Sequence, residues 1–299
     1  MERAFFLGLI YNQMKNILTA FKNSELISLK NYSKEKSDHR SIARFLNGTL
    51  IKIGIYEFLE NKDISLSKQK FSQAGMAFNF YHEFYEKPDQ YHLKANQLMW
   101  ILLSDNVEVY NLLYRNTKYM HVEGEYQWKT WLLSMLQIAC GKWDELERSI
   151  QFIRNNVVDK YDFLEGKDLY LSIFQGFYDR DLDKIQKGLF MLEEPQHKNK
   201  RVQNHRHEKH LSLPSIAIIK LARMHGMEVE IDSKYVPKEL LPFQPLEEYT
   251  IPYKFLRDYY RKQSVKWRYD PVYPELQDWE NDPENPDRKK GGFFKNLFK

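Results

Sequence analysis

Three stretches of this chain repeat one design. "ILLSDNVEVYNLL" (101–113), "IACGKWDELERSI" (138–150) and "GFYDRDLDKIQKGL" (176–189) each run from an apolar helix end, through a short polar turn, into a second, amphipathic helix. "LSMLQ" (133–137) and "LSIFQ" (171–175) reinforce the last two upstream, and the spacing is about 37 to 39 residues, the scale of helix-turn-helix repeats. One such pair cannot bury its apolar stripe alone, so neighbours must stack on it. The repeat therefore predicts an all-α fold of stacked antiparallel helical hairpins, a tetratricopeptide-like α/α array, even though small residues are missing at several positions of that consensus.

The rest of the chain fits this frame. "IARFLNGTLIKIGIYEFLENKD" (42–63) and "SKQKFSQAGMAFNFYHEFYEKPD" (67–89) read as another antiparallel pair, with Asp63 and Ser67 as helix starts and Pro88 as an exit. "KNYSKEKSDHR" (30–40) reads as a polar linker. Glycine and proline are sparse, at 12 and 11 of 299 residues, which favours long elements with short connections. Beyond residue 242 the texture changes: most of the prolines fall there, and seven acidic residues between Asp270 and Asp287 have no basic one among them. The expected organisation is a helical domain over 1–242, a Pro-rich acidic extension over 243–287 and a basic aromatic tail, "RKKGGFFKNLFK", over 288–299.

Several functions lose support on composition. Forty-five basic against 41 acidic residues give a formal +4, too balanced for a nucleic-acid footprint. The short apolar run Phe5–Ile10 breaks at once into polar residues and carries no cleavage site, so neither a signal peptide nor a membrane span is read there, and a cytoplasmic location is expected. A lone Cys140, set among apolar residues, reads as a small core residue rather than a nucleophile.

"NHRHEKHLSLP" (204–214) is the stretch most like chemistry, because His205, His207 and His210 surround Glu208. A zinc-hydrolase helix needs His-Glu-x-x-His, which puts two imidazoles on one side beside a glutamate that polarises the metal-bound water. Here the order is His-Glu-x-His, amid Lys198, Lys200, Arg201, Arg206 and Lys209, whose field opposes a cation. A metal-dependent hydrolase on these histidines is thus the weakest of the functional readings, and a solvated or capping stretch is the expected one. No glycine-rich phosphate loop, nucleophile elbow or Cys-x-x-Cys is present. The sequence selects no catalytic residue, no metal ligand and no cofactor.

The most patterned segment follows, at 210–241. Ser212 suits an N-cap, Pro214 the first helical turn and Gly226 a left-handed helix stop, with Ile216, Ile219, Leu221 and Met224 as an apolar face and Ala217 and Ala222 allowing close packing. "MEVEID" then alternates like a short extended segment, and Pro237 opens a short helix ending at Leu240 and Leu241. The Ser-Leu-Pro helix start, the "LARMHGMEV" exit, the stretch "DSKYVPKELL" from Asp232 and the upstream "GKWDELE" (141–147) together resemble the immunity 49 family of bacterial polymorphic-toxin systems.

That resemblance implies an α-helical, non-catalytic immunity protein that binds a cognate protein toxin and neutralises it in interbacterial competition. Its motif residues cap, stop and pack helices, so they are not transferred as toxin contacts. Candidate contacts are the aromatic residues Tyr110, Tyr114, Tyr119 and Trp128, each of which reads equally as an anchor or as a core residue, and the acidic residues Asp278, Glu280, Asp282 and Glu284. A helical-repeat scaffold binding several peptides is the competing class.

Overall fold

The computed structural model describes residues 39–83, 95–117, 127–156, 167–194 and 211–262. These residues are mostly helical and form no sheet. In order they are α1 (His39–Leu59), α2 (Ile64–Glu83), α3 (Ala95–Leu102), α4 (Val107–Thr117), α5 (Gln127–Ala139), α6 (Trp143–Asn156), α7 (Lys167–Asp179), α8 (Leu182–Glu193) and α9 (Leu213–Met224). A 3-10 turn (Lys238–Leu240) and α10 (Lys254–Lys262) complete the series. The three repeated stretches become the hairpins α3–α4, α5–α6 and α7–α8, and the pair read upstream becomes α1–α2. The all-α reading is the fold observed. Pro88, most of the polar linker and the segments 263–287 and 288–299 lie outside the described residues, and α1 already includes His39 and Arg40 at the linker's end.

The chain divides into two compact units, Met1–Phe84 with Glu247–Lys299, and Tyr85–Leu246. In the first, α1 and α2 pack along their length and α10 packs on α2. Leu46, Leu50 and Ile53 of α1 are fully buried, and Gly54 accepts the Phe71 ring so closely that a Cβ there would stand 2.6 Å from it. Tyr260 of α10 is fully buried, and its hydroxyl donates to the Met76 carbonyl at 2.8 Å while accepting from Asn79 at 3.0 Å.

In the second unit, each helix from α4 to α8 packs on the next, and α3, α5 and α7 also touch in turn. Trp131 of α5 meets Tyr170 of α7 edge to face at 5.2 Å. The α7–α8 hairpin interlocks reciprocally: Gly176 faces Ile185, and Gly188 faces Ile173, each with no space for a methyl group. Helix α9 lies against α3, α5 and α8. Every residue from Leu213 to Ala222 is buried, so the single apolar face expected for it is instead a whole buried circumference.

All four described hairpin turns use one device. A residue in the left-handed region (Lys62, Asp105, Gly141, Arg180) is followed directly by the residue at the N-cap position of the next helix. Asp63 accepts from the Leu66 amide at 2.8 Å, Asn106 from Glu108 at 3.1 Å and Asp181 from Lys184 at 3.0 Å, each satisfying an amide at a helix start. Asp63 thus caps α2 as expected, whereas Ser67 lies inside that helix, buried, with its hydroxyl on the Asp63 carbonyl.

Candidate functional site

The patterned segment is held on all sides by polar contacts. At its start Ser212 occupies the N-cap position of α9, and Pro214 sits in the first turn. The Ser212 hydroxyl does not cap the helix, however; it donates to the Glu193 carboxylate at the end of α8. Ser215 donates to the same oxygen at 2.7 Å, and Ser233 to the other at 2.9 Å. The Ser212 amide is used as well, donating to the Tyr235 carbonyl at 2.7 Å. One carboxylate thus gathers three hydroxyls from the two ends of the segment, and hydrogen bonds to a charged acceptor are the stronger kind.

The exit of α9 is a two-bond left-handed cap. Gly226, at φ +70°, donates to the Arg223 carbonyl at 3.0 Å, and Met227 donates to that of Ala222 at 2.9 Å. The preceding residue, His225, turns its ring toward α5: Nε2 lies 2.6 Å from the Ile138 carbonyl, and the ring meets Trp143 edge to face at 4.8 Å. A carbonyl can only accept, so Nε2 carries the proton. Burial, aided by the Arg180 charge, holds this imidazole below its ordinary pKa against the opposing pull of the Ile138 bond.

Past the cap, Met227, Val229 and Ile231 are buried while Glu228, Glu230 and Asp232 are exposed, the two-residue alternation of an extended strand, with no ladder partner among the described residues. Pro237 then opens the 3-10 turn, with Leu240 and Leu241 buried.

Lys220 secures that turn. Its ammonium, almost fully buried, bridges both Asp105 oxygens at 2.8 and 3.0 Å and donates to the carbonyls of Leu240 at 2.9 Å and Pro242 at 3.0 Å. The Gln244 amide adds a bond to Asp105 at 3.2 Å. An ammonium has three protons, and this one finds a partner for each. Neither the Glu193 carboxylate nor the Lys220 ammonium is thereby offered to a substrate; both serve as ties that fix the segment's shape.

Of the expected motif residues, Ser212, Pro214, Gly226, Pro237, Leu240 and Leu241 all take part in this framework, and Asp232 is exposed beside it. The expected anchors fare differently. Tyr110 is 1% exposed, its hydroxyl donating to the Leu102 carbonyl at 2.7 Å, and Tyr114 is 6% exposed, its hydroxyl on Glu145. Both are core residues, because they stand on the face of α4 that packs inward. Burial and the Glu145 carboxylate raise the Tyr114 pKa well above the phenolic range. Trp128 lies in the first turn of α5, and Tyr119, Asp278, Glu280, Asp282 and Glu284 lie outside the described residues.

His205, His207 and His210 are also outside the described residues, and among those described no group of three or more His, Cys, Asp or Glu is placed to hold a metal ion. Cys140, at the end of α5, is only partly buried, and burial pushes its thiol up to about 12, so it is protonated near neutral pH. No helix among the described residues is long and apolar enough to cross a membrane. Sequence reasoning missed Glu193 and the Lys220–Asp105 pair; the lone lysine inside "SIAIIKLARM" was the available signal for the second.

Residues 144–240, roughly a third of the chain, match the family described as Immunity protein 49. The matched stretch runs from α6 to the 3-10 turn and holds Glu193, its three serines, Lys220 and the Gly226 cap. No curated protein and no solved structure matches the chain.

Proposed function

We propose that this chain, whose residues 144–240 carry the Immunity protein 49 match, is an immunity protein that binds a cognate bacterial toxin and neutralises it by covering it, without catalysing a reaction. The match is the observation that carries the reading, since it falls on the stretch whose resemblance to that family is read from the sequence. The framework suits the role: its polar groups are engaged in fixing one shape, and a preformed surface binds with less ordering cost than a mobile one. We place the activity in the cytoplasm of the toxin-producing cell and its siblings.

The test is co-expression with the C-terminal domain encoded by the open reading frame beside this gene. Growth restored by this chain, together with a stable one-to-one complex on pull-down, is the expected result. Toxicity without rescue or binding would overturn the reading. Capture of several unrelated peptides in place of one tight partner would favour a helical-repeat scaffold, which the stacked hairpins also suit.

A further inference from the structure

The extended segment after α9 runs alongside α8. The Gln186 side-chain amide pairs with the Glu230 backbone in both directions, donating to its carbonyl and accepting from its N–H at 3.1 Å. Farther along, Glu193 takes the Ser233 hydroxyl. Seven residues of helix rise about 10.5 Å and three extended residues cover about 10 Å, so the two runs keep pace. Phe190 stands between these ties. At 3.6 residues per turn it lies about 40° round α8 from Gln186, on the side away from the buried Ile185, Leu189 and Leu192.

Phe190 is 57% exposed, the most exposed large apolar side chain among the described residues. Around it the side chains of Glu228 and Glu230 are 76% and 84% exposed, and Asp183, Glu194 and Asp232 are exposed too. Against these five carboxylates the same described stretch exposes Lys187 and Lys234, and the Lys184 side chain, 42% exposed, is paired with Asp179 and Asp181. Arg223, largely covered, sits 3.7 Å from Glu228 and 3.8 Å from Glu230. The chain as a whole is formally +4, so the acidity belongs to this set of described residues.

We infer that this face of α8 and the 228–232 segment is the surface that meets the partner, and that the partner is a protein presenting an apolar pocket rimmed by Lys and Arg, with Phe190 as the anchor. This rests on the immunity reading and adds the surface and the partner's chemistry to it. An apolar anchor inside a charged rim is the arrangement that concentrates binding energy in protein interfaces, the rim charges steering encounter. Charge excludes the other occupants. Nucleic acid and anionic membrane surfaces would set phosphate against carboxylate, and a second copy docking by the same face would set carboxylates against carboxylates.

The experiment uses the full chain and the neighbouring toxin domain as probe, with two variants: Phe190→Ala, and the triple reversal Glu228→Lys, Glu230→Lys, Asp232→Lys. Phe190→Ala replaces an exposed side chain, so its circular dichroism and urea midpoint should stay close to those of the unaltered chain, whereas the reversal also takes both carboxylates from Arg223 and should lower the midpoint while leaving the circular dichroism unchanged. The expected result is at least a tenfold rise in Kd for each variant, with loss of growth rescue for the triple reversal and a flatter salt dependence. A Kd within twofold of the unaltered chain for folded Phe190→Ala would overturn this inference alone. Failure of the unaltered chain to bind the domain would overturn the immunity reading, and this surface with it.

Discussion

Two side chains in the family-matched stretch, one charged and one neutral, turn covered polar groups into architecture. Lys220 is buried among apolar residues of α9 and is neutralised by Asp105 and two carbonyls. Removing one partner of a buried pair leaves the other charge uncompensated, which costs about 3–5 kcal/mol. Lys220→Met should therefore lower the unfolding free energy taken from urea melts by that amount, whereas Lys220→Met combined with Asp105→Asn should recover most of it, since asparagine tolerates the left-handed backbone at 105. His225 links protonation to stability in the opposite sense from a paired histidine. Its folded pKa lies below the unfolded one, so the unfolded chain binds more protons between the two values. Its contribution is whole above about pH 6.5 and declines as pH falls through that window toward the folded value. Urea midpoints measured from pH 7.5 down to 5 should fall more steeply for the unaltered chain than for His225→Gln.

At the scale of elements, the left-handed residue and the cap that follows it make the hairpins uniform. Arg180 occupies that position without the freedom of glycine, which Gly141 has in the preceding hairpin. A non-glycine residue there costs roughly 1–2 kcal/mol, part of which glycine returns in unfolded-state entropy. Arg180→Gly should raise the thermal midpoint by a few degrees, equivalent to about 1 kcal/mol, while Gly141→Val should lower it. These turns were legible because "SDN", "CGK" and "DRD" recur in phase with apolar runs, and so the hairpins could be read from spacing. The Gly226 cap and the buried-exposed alternation of "MEVEID" were legible for the same local reason. What spacing cannot convey is which side of an amphipathic helix faces a neighbour when aromatic residues occupy both. Tyr110 and Tyr114 read equally as anchors or as core and are core, while Phe190, inside "QKGLFMLEE", is the exposed one. Glu193 was illegible too, because its three hydroxyl partners lie 19 to 40 residues away.

For the molecule as a whole, the two units differ in how their sequence is arranged. Residues 85–246 are continuous, and they contain the whole family-matched stretch 144–240. The other unit takes its helices from both sides of that insertion, with α10 packing on α2 through Tyr260, Asn79 and the Met76 carbonyl, and Gln73 donating to the Thr250 carbonyl at 3.2 Å. On the ribosome this order has a consequence. The inserted unit emerges complete while α1 and α2 still wait for α10, so the part carrying the Phe190 face can fold first. The earliest helical pair among the described residues is then closed by a segment synthesised some 170 residues after it.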